Sequence, residues 1–360
     1  MLIIVIIAYH MFSCKTDADA HIGAGENITE KYEEQLLKTV GMERVKDYEI
    51  YDVLFTFENN EVGHIHTIEC GYEKPETLVL IHGYGSGAVF YYKLMSMLKD
   101  RFHIYSIDLY GMGSSARPTI TNFDFDHVVN FFVEALENWR KQVKLTNFVL
   151  MGHSMGGYIS SHWVRLKNPP VKYLYLLSPA GFSNKTDDEI LSNDAGFMQK
   201  MMYKVYDKFL HEKKMNPFSL LIFKEYFIKK KFAGKRIGME EKEAEIAAKY
   251  LSSTLDKNES GERAVGVLLR FARYSNHPIC DILHEIREKR GFDFPIVVIY
   301  GEKDWMDFNH SLKVNREMNL HLEIAFIQDC DHQIILQNPR GLADKMLADL
   351  DKGYHQLHQV

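Results

Sequence analysis

Six short apolar runs constrain this chain more than any other feature: TLVLI (77–81), HIYSIDL (103–109), NFVLMG (147–152), YLYLLS (173–178), PIVVIY (295–300) and LEIAFI (322–327). Stretches with helical periodicity separate them. A strand that is apolar on both sides needs cover on both faces, and a helix between successive strands supplies it. The pattern predicts a mostly parallel sheet between two layers of helices. Before the first run, residues 48–70 alternate apolar and polar around the turn ENNE, which predicts an antiparallel hairpin. Between Ser178 and Pro295 the strand rhythm stops, and a helical sequence rich in Met and aromatic residues intervenes. It reads as an insertion into one core rather than a second unit. The expected division is an apolar leader and N-terminal helix (1–44), a first core segment (45–182), a helical lid (183–292) and a second core segment (293–360). With 46% hydrophobic residues in 360, one large core can be filled.

The run NFVLM leads directly into GHSMGG (152–157), and a helical pattern, GYISSHWVRLK, follows. A G-x-S-x-G match alone is weak. At a strand–turn–helix junction it acquires a mechanism: the sharp turn lifts the Ser154 hydroxyl above the sheet, and Gly152 and Gly156 let neighbouring backbone pass. The helix that follows aims its first N–H groups at developing negative charge. Ser154 is therefore the candidate nucleophile, and it needs a base and a group to orient that base. The run PIVVIY ends in GEKDWMD and offers two carboxylates, Asp304 and Asp307. Asp304, with the commoner spacing after its strand, is favoured, and Asp307 stays open. The run LEIAFI leads to His332, the candidate base. Backbone N–H groups of Met155 and Tyr84 are the candidate oxyanion donors. Tyr84 lies in HGYGSG (82–87), where His82, Gly83 and Gly85 form the supporting loop. This loop does not fit the G-x-x-x-x-G-K-[ST] phosphate cradle.

A net charge of −6 argues against a nucleic-acid partner. The charge is uneven. Residues 201–236 hold ten Lys or Arg against three Asp or Glu, a local +7, interleaved with aromatic and aliphatic residues. A lid that shields the site explains this stretch; a lid that also docks on anionic lipid explains its charge. Residues 239–251, MEEKEAEIAAKYL, read as a charged helix without a function. Residues 1–13 are almost wholly apolar, too short to span a bilayer as a helix, with no basic residue ahead of them and no A-x-A site. They leave a signal peptide and an interfacial anchor both open. Four cysteines (Cys14, Cys70, Cys280, Cys330) do not make a disulfide framework and favour a reducing compartment, although four N-x-S/T sequons (Asn27, Asn184, Asn258, Asn309) pull the other way. The expected location is cytoplasmic and membrane-associated, with the secretory pathway left open by the leader. No metal or redox cofactor is called for by the spacing of His and Cys.

The set VLIHGYGSG, DLYGMGSSARP, ENWRK, FVLMGHSMGGY, SPAGF, NPF, SGERA, YGEKDWMD and H-x-x-x-x-Q resembles one family across roughly residues 45–350. It is similar to the lipid-acting α/β hydrolases that comprise abhydrolase domain-containing proteins four and five with their plant and fungal relatives. The resemblance implies the α/β-hydrolase fold, no cofactor, and an ester of a lysophospholipid, N-acyl phospholipid or acylglycerol as substrate. It also implies contact with a membrane or lipid droplet and a role in lipid homeostasis. One branch of that family carries Asn at the nucleophile and co-activates a partner lipase; Ser154 favours the catalytic branch here, and the co-activator reading with a lipase partner stays open. The family's H-x-x-x-x-D, linked to lysophosphatidate acyltransferase activity, is here His332 to Gln337. That change argues for hydrolysis before acyl transfer.

Overall fold

The computed structural model describes residues 27–184, 207–215, 223–270, 273–306 and 308–357. The leader and much of the segment 185–222 lie outside the described residues. In chain order the main elements are α1 (Ile28–Thr39), β1 (Tyr48–Thr56), β2 (Val62–Cys70), β3 (Glu76–Ile81), α2 (Tyr92–Leu98), β4 (Phe102–Ile107), α3 (Phe125–Gln142), β5 (Phe148–His153), α4 (Met155–Lys167) and β6 (Val171–Leu177). After the insertion begins come α5 (Lys224–Ala233), α6 (Glu241–Leu255), α7 (Ile279–Arg290), β7 (Ile296–Gly301), α8 (Phe308–Glu317), β8 (Glu323–Ile327) and α9 (Pro339–Leu357).

Each apolar run is a strand, and the hairpin is present as β1 and β2, paired antiparallel from Tyr48 opposite Cys70 to Thr56 opposite Val62. The eight strands form one sheet in the order β1-β2-β4-β3-β5-β6-β7-β8. From β4 through β8 every pair is parallel. The period of two explains why the runs look uniformly apolar. Val79, Ile81, Leu150, Leu174, Leu176 and Val298 face a core packed by α3, α4 and α7. Their neighbours Leu78, Leu80, Met151, Tyr175, Leu177 and Val297 face a second core packed by α1, α2, α6 and α9. Both faces are buried, so polar residues have no place between.

The strand order fixes where a site can form. From β3 the chain steps to β4 on one side, and β5 then lies on the other. The crevice outside the carboxyl ends of strands at such a switch point is where open parallel sheets bind ligands. The segments leaving β3 and β5 are HGYGSG and the Ser154 turn. Among the described residues of the insertion, α5, α6 and α7 carry the order and no sheet strand occurs. α7 packs its Ile279, Ile282, Leu283 and Ile286 into the first core, whereas α5 and α6 cover the carboxyl end of the sheet.

A buried ion network ties α1 to this framework. His66 on β2 bonds Asp52 through Nδ1 at 2.9 Å and Glu33 of α1 through Nε2 at 3.0 Å. Burial opposes a charged ring, but the two carboxylates outweigh it and hold His66 well above the usual histidine pKa. Glu33, His66 and the buried Asp108 bring ligand atoms within 4.8 Å of one another. Both ring nitrogens of His66 are already engaged. Lys257, whose pKa burial lowers, still feels the Asp108 and Glu33 carboxylates. The group is an internally paired charge cluster.

Candidate active site

Ser154 sits at φ 54°, ψ −118°, a conformation a non-glycine residue adopts only under constraint. Strain of this kind costs on the order of 1–3 kcal/mol and survives where surrounding bonds over-determine it. They do so here. The Ser154 N–H donates to the Leu177 carbonyl of β6 at 2.9 Å, and the Ser154 carbonyl accepts from Gly157 at 3.0 Å and Ala180 at 3.2 Å. A Cβ on Gly156 would lie 2.5 Å from the carbonyl oxygens of both Ile81 and His82, and one on Gly152 would lie 2.5 Å from the Gly156 carbonyl. Only glycine lets the helix start this close to β3. A serine at a helix N-cap usually turns its hydroxyl onto the first N–H groups. Ser154 makes no such bond, and its Oγ faces His332 instead.

His332 Nε2 stands 3.1 Å from Ser154 Oγ, and His332 Nδ1 stands 3.3 Å from Asp304 Oδ1. With the carboxylate ionised, Nδ1 donates to Asp304 and Nε2 accepts from the serine hydroxyl. Burial raises the Asp304 pKa, but the His332 hydrogen bond and charge, the nearby Ser178 hydroxyl and the Met306 N–H together hold it below the usual carboxylate value. The Met306 N–H donates to Oδ1 at 3.0 Å. The loops that carry the two residues are stitched together: Lys303 donates to the Cys330 carbonyl and Glu302 to that of Ile327, each at 2.9 Å. Asp307 lies outside the described residues.

His82 is fully buried, with Nδ1 donating to the Gly83 carbonyl at 2.8 Å and Nε2 accepting from Leu109 N–H at 3.0 Å. It braces the HGYGSG loop against the chain leaving β4. Gly85 turns that loop at φ 66°, and a Cβ on Gly83 would meet the Ser154 Cβ at 2.9 Å. The loop thus lies directly on the serine. Tyr84 lines the same cavity as Ser154. Met155 opens α4, so its N–H is among the first four of the helix, which have no carbonyl partner within it.

Three further features bear on the site. His153 is buried beneath His332 and donates from Nε2 to the His332 carbonyl at 2.8 Å. Burial, then the nearby His332, push its pKa down to about 3. It is a neutral support for His332. The helix read as functionless, α6, roofs the site: Leu251 and Leu255 line the cavity, and the ring of Tyr250 packs edge-on against Phe90 at 5.6 Å. Its signal was present in the spacing of Ala247, Tyr250, Leu251, Thr254 and Leu255, all buried on one face. Finally, Gln337 accepts from the Asp331 N–H at 2.8 Å and donates to the Arg236 carbonyl. An aspartate at this position could accept but not donate. The cavity itself has a volume of about 430 Å³, within the roughly 300–1,000 Å³ of small-molecule sites. Phe90, Phe227, Phe232, Leu251 and Leu336 give it a mainly apolar wall.

The buried histidines make a prediction for acid. His153 and His162 both titrate at about 3 in the fold, chiefly because burial disfavours their charged forms, against 6.5 ordinarily. Below pH 6.5 the unfolded chain takes up protons that the folded chain refuses, so stability falls as pH drops. Each residue should contribute a slope of about 1.4 kcal/mol per pH unit over that window. Urea unfolding of wild type and His162→Phe between pH 7 and pH 4.5 measures it; equal slopes in the two proteins would refute the assignment.

Comparison with known proteins identifies the family of the fold. The family model described as alpha/beta hydrolase fold matches residues 76–339. An Arabidopsis thaliana protein named 1-acylglycerol-3-phosphate O-acyltransferase is 28% identical over 303 residues, 81% of this chain and 71% of that one. A Mus musculus protein named (lyso)-N-acylphosphatidylethanolamine lipase is 27% identical over 276 residues, 73% of this chain and 75% of that one. Among solved structures, a bacterial membrane phospholipase A superposes with a TM-score of 0.61 at 20% identity, covering 90% of this chain and 89% of that one, a likeness of fold. The resemblance read from the motifs is thereby met, and the chain belongs to the alpha/beta hydrolase fold family.

Proposed function

We propose that this chain is a serine ester hydrolase acting on lipids, with Ser154 as nucleophile, His332 as base and Asp304 as the acid that orients it. The observation that carries the reading is the unbroken sequence of contacts from Ser154 Oγ through His332 to Asp304 at the floor of an apolar cavity. In the reaction, His332 Nε2 takes the Ser154 proton as Oγ attacks the ester carbonyl. The negative charge on the carbonyl oxygen is met by the N–H groups of Met155 and Tyr84. As the carbon–oxygen bond to the leaving alcohol breaks, His332 returns the proton to that alcohol, leaving an acyl group on Ser154. Water, deprotonated by the same nitrogen, then releases the fatty acid and restores the serine. An alcohol in place of that water would give acyl transfer, the reaction in the name of the Arabidopsis relative.

Lipid as the substrate class draws on the relatives' names and on the cavity wall. Access from a lipid surface is supported by α5, at whose start Phe223 and Tyr226 are exposed beside the cavity residues Phe227 and Ile228. Some of the basic charge of 201–236 is already spent within the fold: Lys224 pairs with Asp256, and Lys229 pairs with Glu241 and Glu245. Cations of this stretch that face a lipid surface would favour anionic lipid, each by about 1 kcal/mol. No helix among the described residues is long and apolar enough to cross a membrane, so the attachment proposed is peripheral. Labelling by a fluorophosphonate probe, with turnover of one ester as monomer and as micelle, tests the reading. The expectation is labelling confined to Ser154 and faster turnover above the critical micelle concentration. Equal turnover of short soluble esters would remove lipid from it, and absence of both labelling and turnover would remove catalysis.

A further inference from the structure

Ser178 follows the last residue of β6 and stands between the two segments that carry the reacting groups. Leu177, just before it, accepts from the Ser154 N–H at 2.9 Å, and Ala180, two positions on, donates to the Ser154 carbonyl at 3.2 Å. The Ser178 N–H itself donates to the Ile299 carbonyl at 2.7 Å, on β7, the strand that leads to Asp304. Ser178 is fully buried and holds φ 44°, in the left-handed region that glycine enters without a steric penalty and serine does not. A serine in that place needs a use for its hydroxyl.

Two buried polar atoms meet here. Among the described residues, neither Ser178 Oγ nor Asp304 Oδ2 has a formed hydrogen bond. The other carboxylate oxygen already holds two donors: Oδ1 accepts from His332 Nδ1 at 3.3 Å and from the Met306 N–H at 3.0 Å. The Asp304 side chain has no exposed surface, so bulk solvent does not serve Oδ2. A buried carboxylate with one oxygen bare is destabilising, and so is a buried hydroxyl with no acceptor. One hydrogen bond between them removes both penalties. The two groups are close enough to interact: burial raises the Asp304 pKa, and His332, then the Ser178 hydroxyl, lower it.

We propose that Ser178 is a positioning residue for the Ser154–His332–Asp304 site: its Oγ–H donates to Asp304 Oδ2 and fixes the plane of the carboxylate against which His332 is aligned. This role rests on the hydrolase reading above and deepens it. A carboxylate held at Oδ1 alone can swing about its Cβ–Cγ bond. With both oxygens held, Oδ1 stays on Nδ1 and Nε2 stays on Ser154. Ser178 touches no substrate and acts through Asp304. Because Leu177 and Ala180 also hold the Ser154 turn, one short segment, 177–180, sets both ends of the proton path. The hydroxyl also tunes the base. A carboxylate that has lost a donor attracts the imidazolium more strongly, so His332 keeps its proton to higher pH. The other titratable groups that act with Asp304 are His153, which burial holds down to about 3, and Cys330, which burial pushes up to about 11. Neither changes charge near neutral pH. Asp331 on the base loop is paired with Arg236.

The test uses Ser178→Ala and Ser178→Gly, which both lack the hydroxyl, while glycine fits φ 44° without strain. On an ester that wild type turns over, both should lower kcat by about 10- to 100-fold with KM little changed, the range for losing a hydrogen bond to a charged group. Both should also move the acid limb of the kcat profile upward, by as much as about one pH unit. A residue needed only for its turn would behave otherwise: glycine would keep the wild-type rate and profile. That result, or an unshifted limb in both variants, overturns the proposal. In an Asp304→Asn background, Ser178→Ala should cost less than about twofold, since both act on one proton transfer; a loss there as large as in wild type would also overturn it. Carbon-13 NMR of aspartate-labelled protein, with Asp304 identified by its loss in Asp304→Asn, reads the contact without turnover. Asp304 should titrate at a higher pH in Ser178→Ala than in wild type. That change in a protein that hydrolyses nothing would uphold the contact and sink the hydrolase reading, and equal titration in the two proteins would sink the contact.

Discussion

Ser154→Ala is expected to lower kcat by about 10⁴-fold or more on any ester the chain turns over, with KM and folding little changed. The size follows from what the hydroxyl does. It is the only atom of the elbow placed to form a bond with substrate, and without it His332 has no proton to take from the nucleophile. The residual rate would come from the N–H groups of Met155 and Tyr84 and from water activated by His332. Folding should survive because Ser154 Oγ caps nothing; the bonds that hold the turn are backbone bonds to Leu177, Gly157 and Ala180. Alanine keeps the same backbone and the same φ of 54°, so the strain is unaltered. Single-turnover kinetics with a thermal melt of each protein would check both halves. A variant that melts normally and still turns over within about tenfold of wild type would exclude the acyl-enzyme, and the non-enzymatic co-activator, known in a branch of the family it resembles, would become the reading to test.

The sheet was legible because its physics is local and repetitive. Residues such as Val149, Leu150 and Met151 are all buried but point to alternate cores, and nothing except a doubly covered strand asks for that. The elbow was legible for a related reason: backbone carbonyls 2.5 Å from where a Cβ of Gly156 would sit admit one residue type, so the constraint is written in the sequence. Less was readable where a role depends on what arrives from far along the chain. His153 is one residue before Ser154, yet its placement is set by the carbonyl of His332, 179 positions away. Lys224 and Lys229 looked like two cations among ten, and only the folded chain pairs them with Asp256 and with Glu241 and Glu245. α6 itself was read by its charged face, because the pattern of glutamates is louder than a stripe of alanine, tyrosine and leucine. The two carboxylates after β7 are a limiting case. Spacing alone favours Asp304 only weakly, whereas a distance of 3.3 Å to His332 Nδ1 favours it strongly.

That preference leads to the second large effect. Asp304→Asn should reduce kcat by about 10⁴-fold, nearly as much as loss of the serine, although the side chain never touches substrate. The carboxylate accepts from His332 Nδ1, which leaves Nε2 unprotonated and able to take the Ser154 proton. An amide nitrogen in that position donates to Nδ1 and forces the proton onto Nε2, where it faces the serine hydroxyl with nothing to accept. The site is buried on the acid side, so solvent cannot correct the tautomer cheaply. Stability should fall as well, because the Met306 N–H donates to the same Oδ1 that accepts from His332, and an amide nitrogen there leaves it without an acceptor. Asp307→Asn, by contrast, should cost no more than a few-fold if Asp304 is the orienting acid. The two losses should also fail to add: Ser154→Ala combined with Asp304→Asn should be no slower than Ser154→Ala alone, since both remove one proton transfer. Steady-state kinetics on the four variants decides the assignment. If Asp307→Asn carries the large loss and Asp304→Asn does not, the hydrogen bond from His332 to Asp304 is structural, and the acid of this site is the neighbour three residues on.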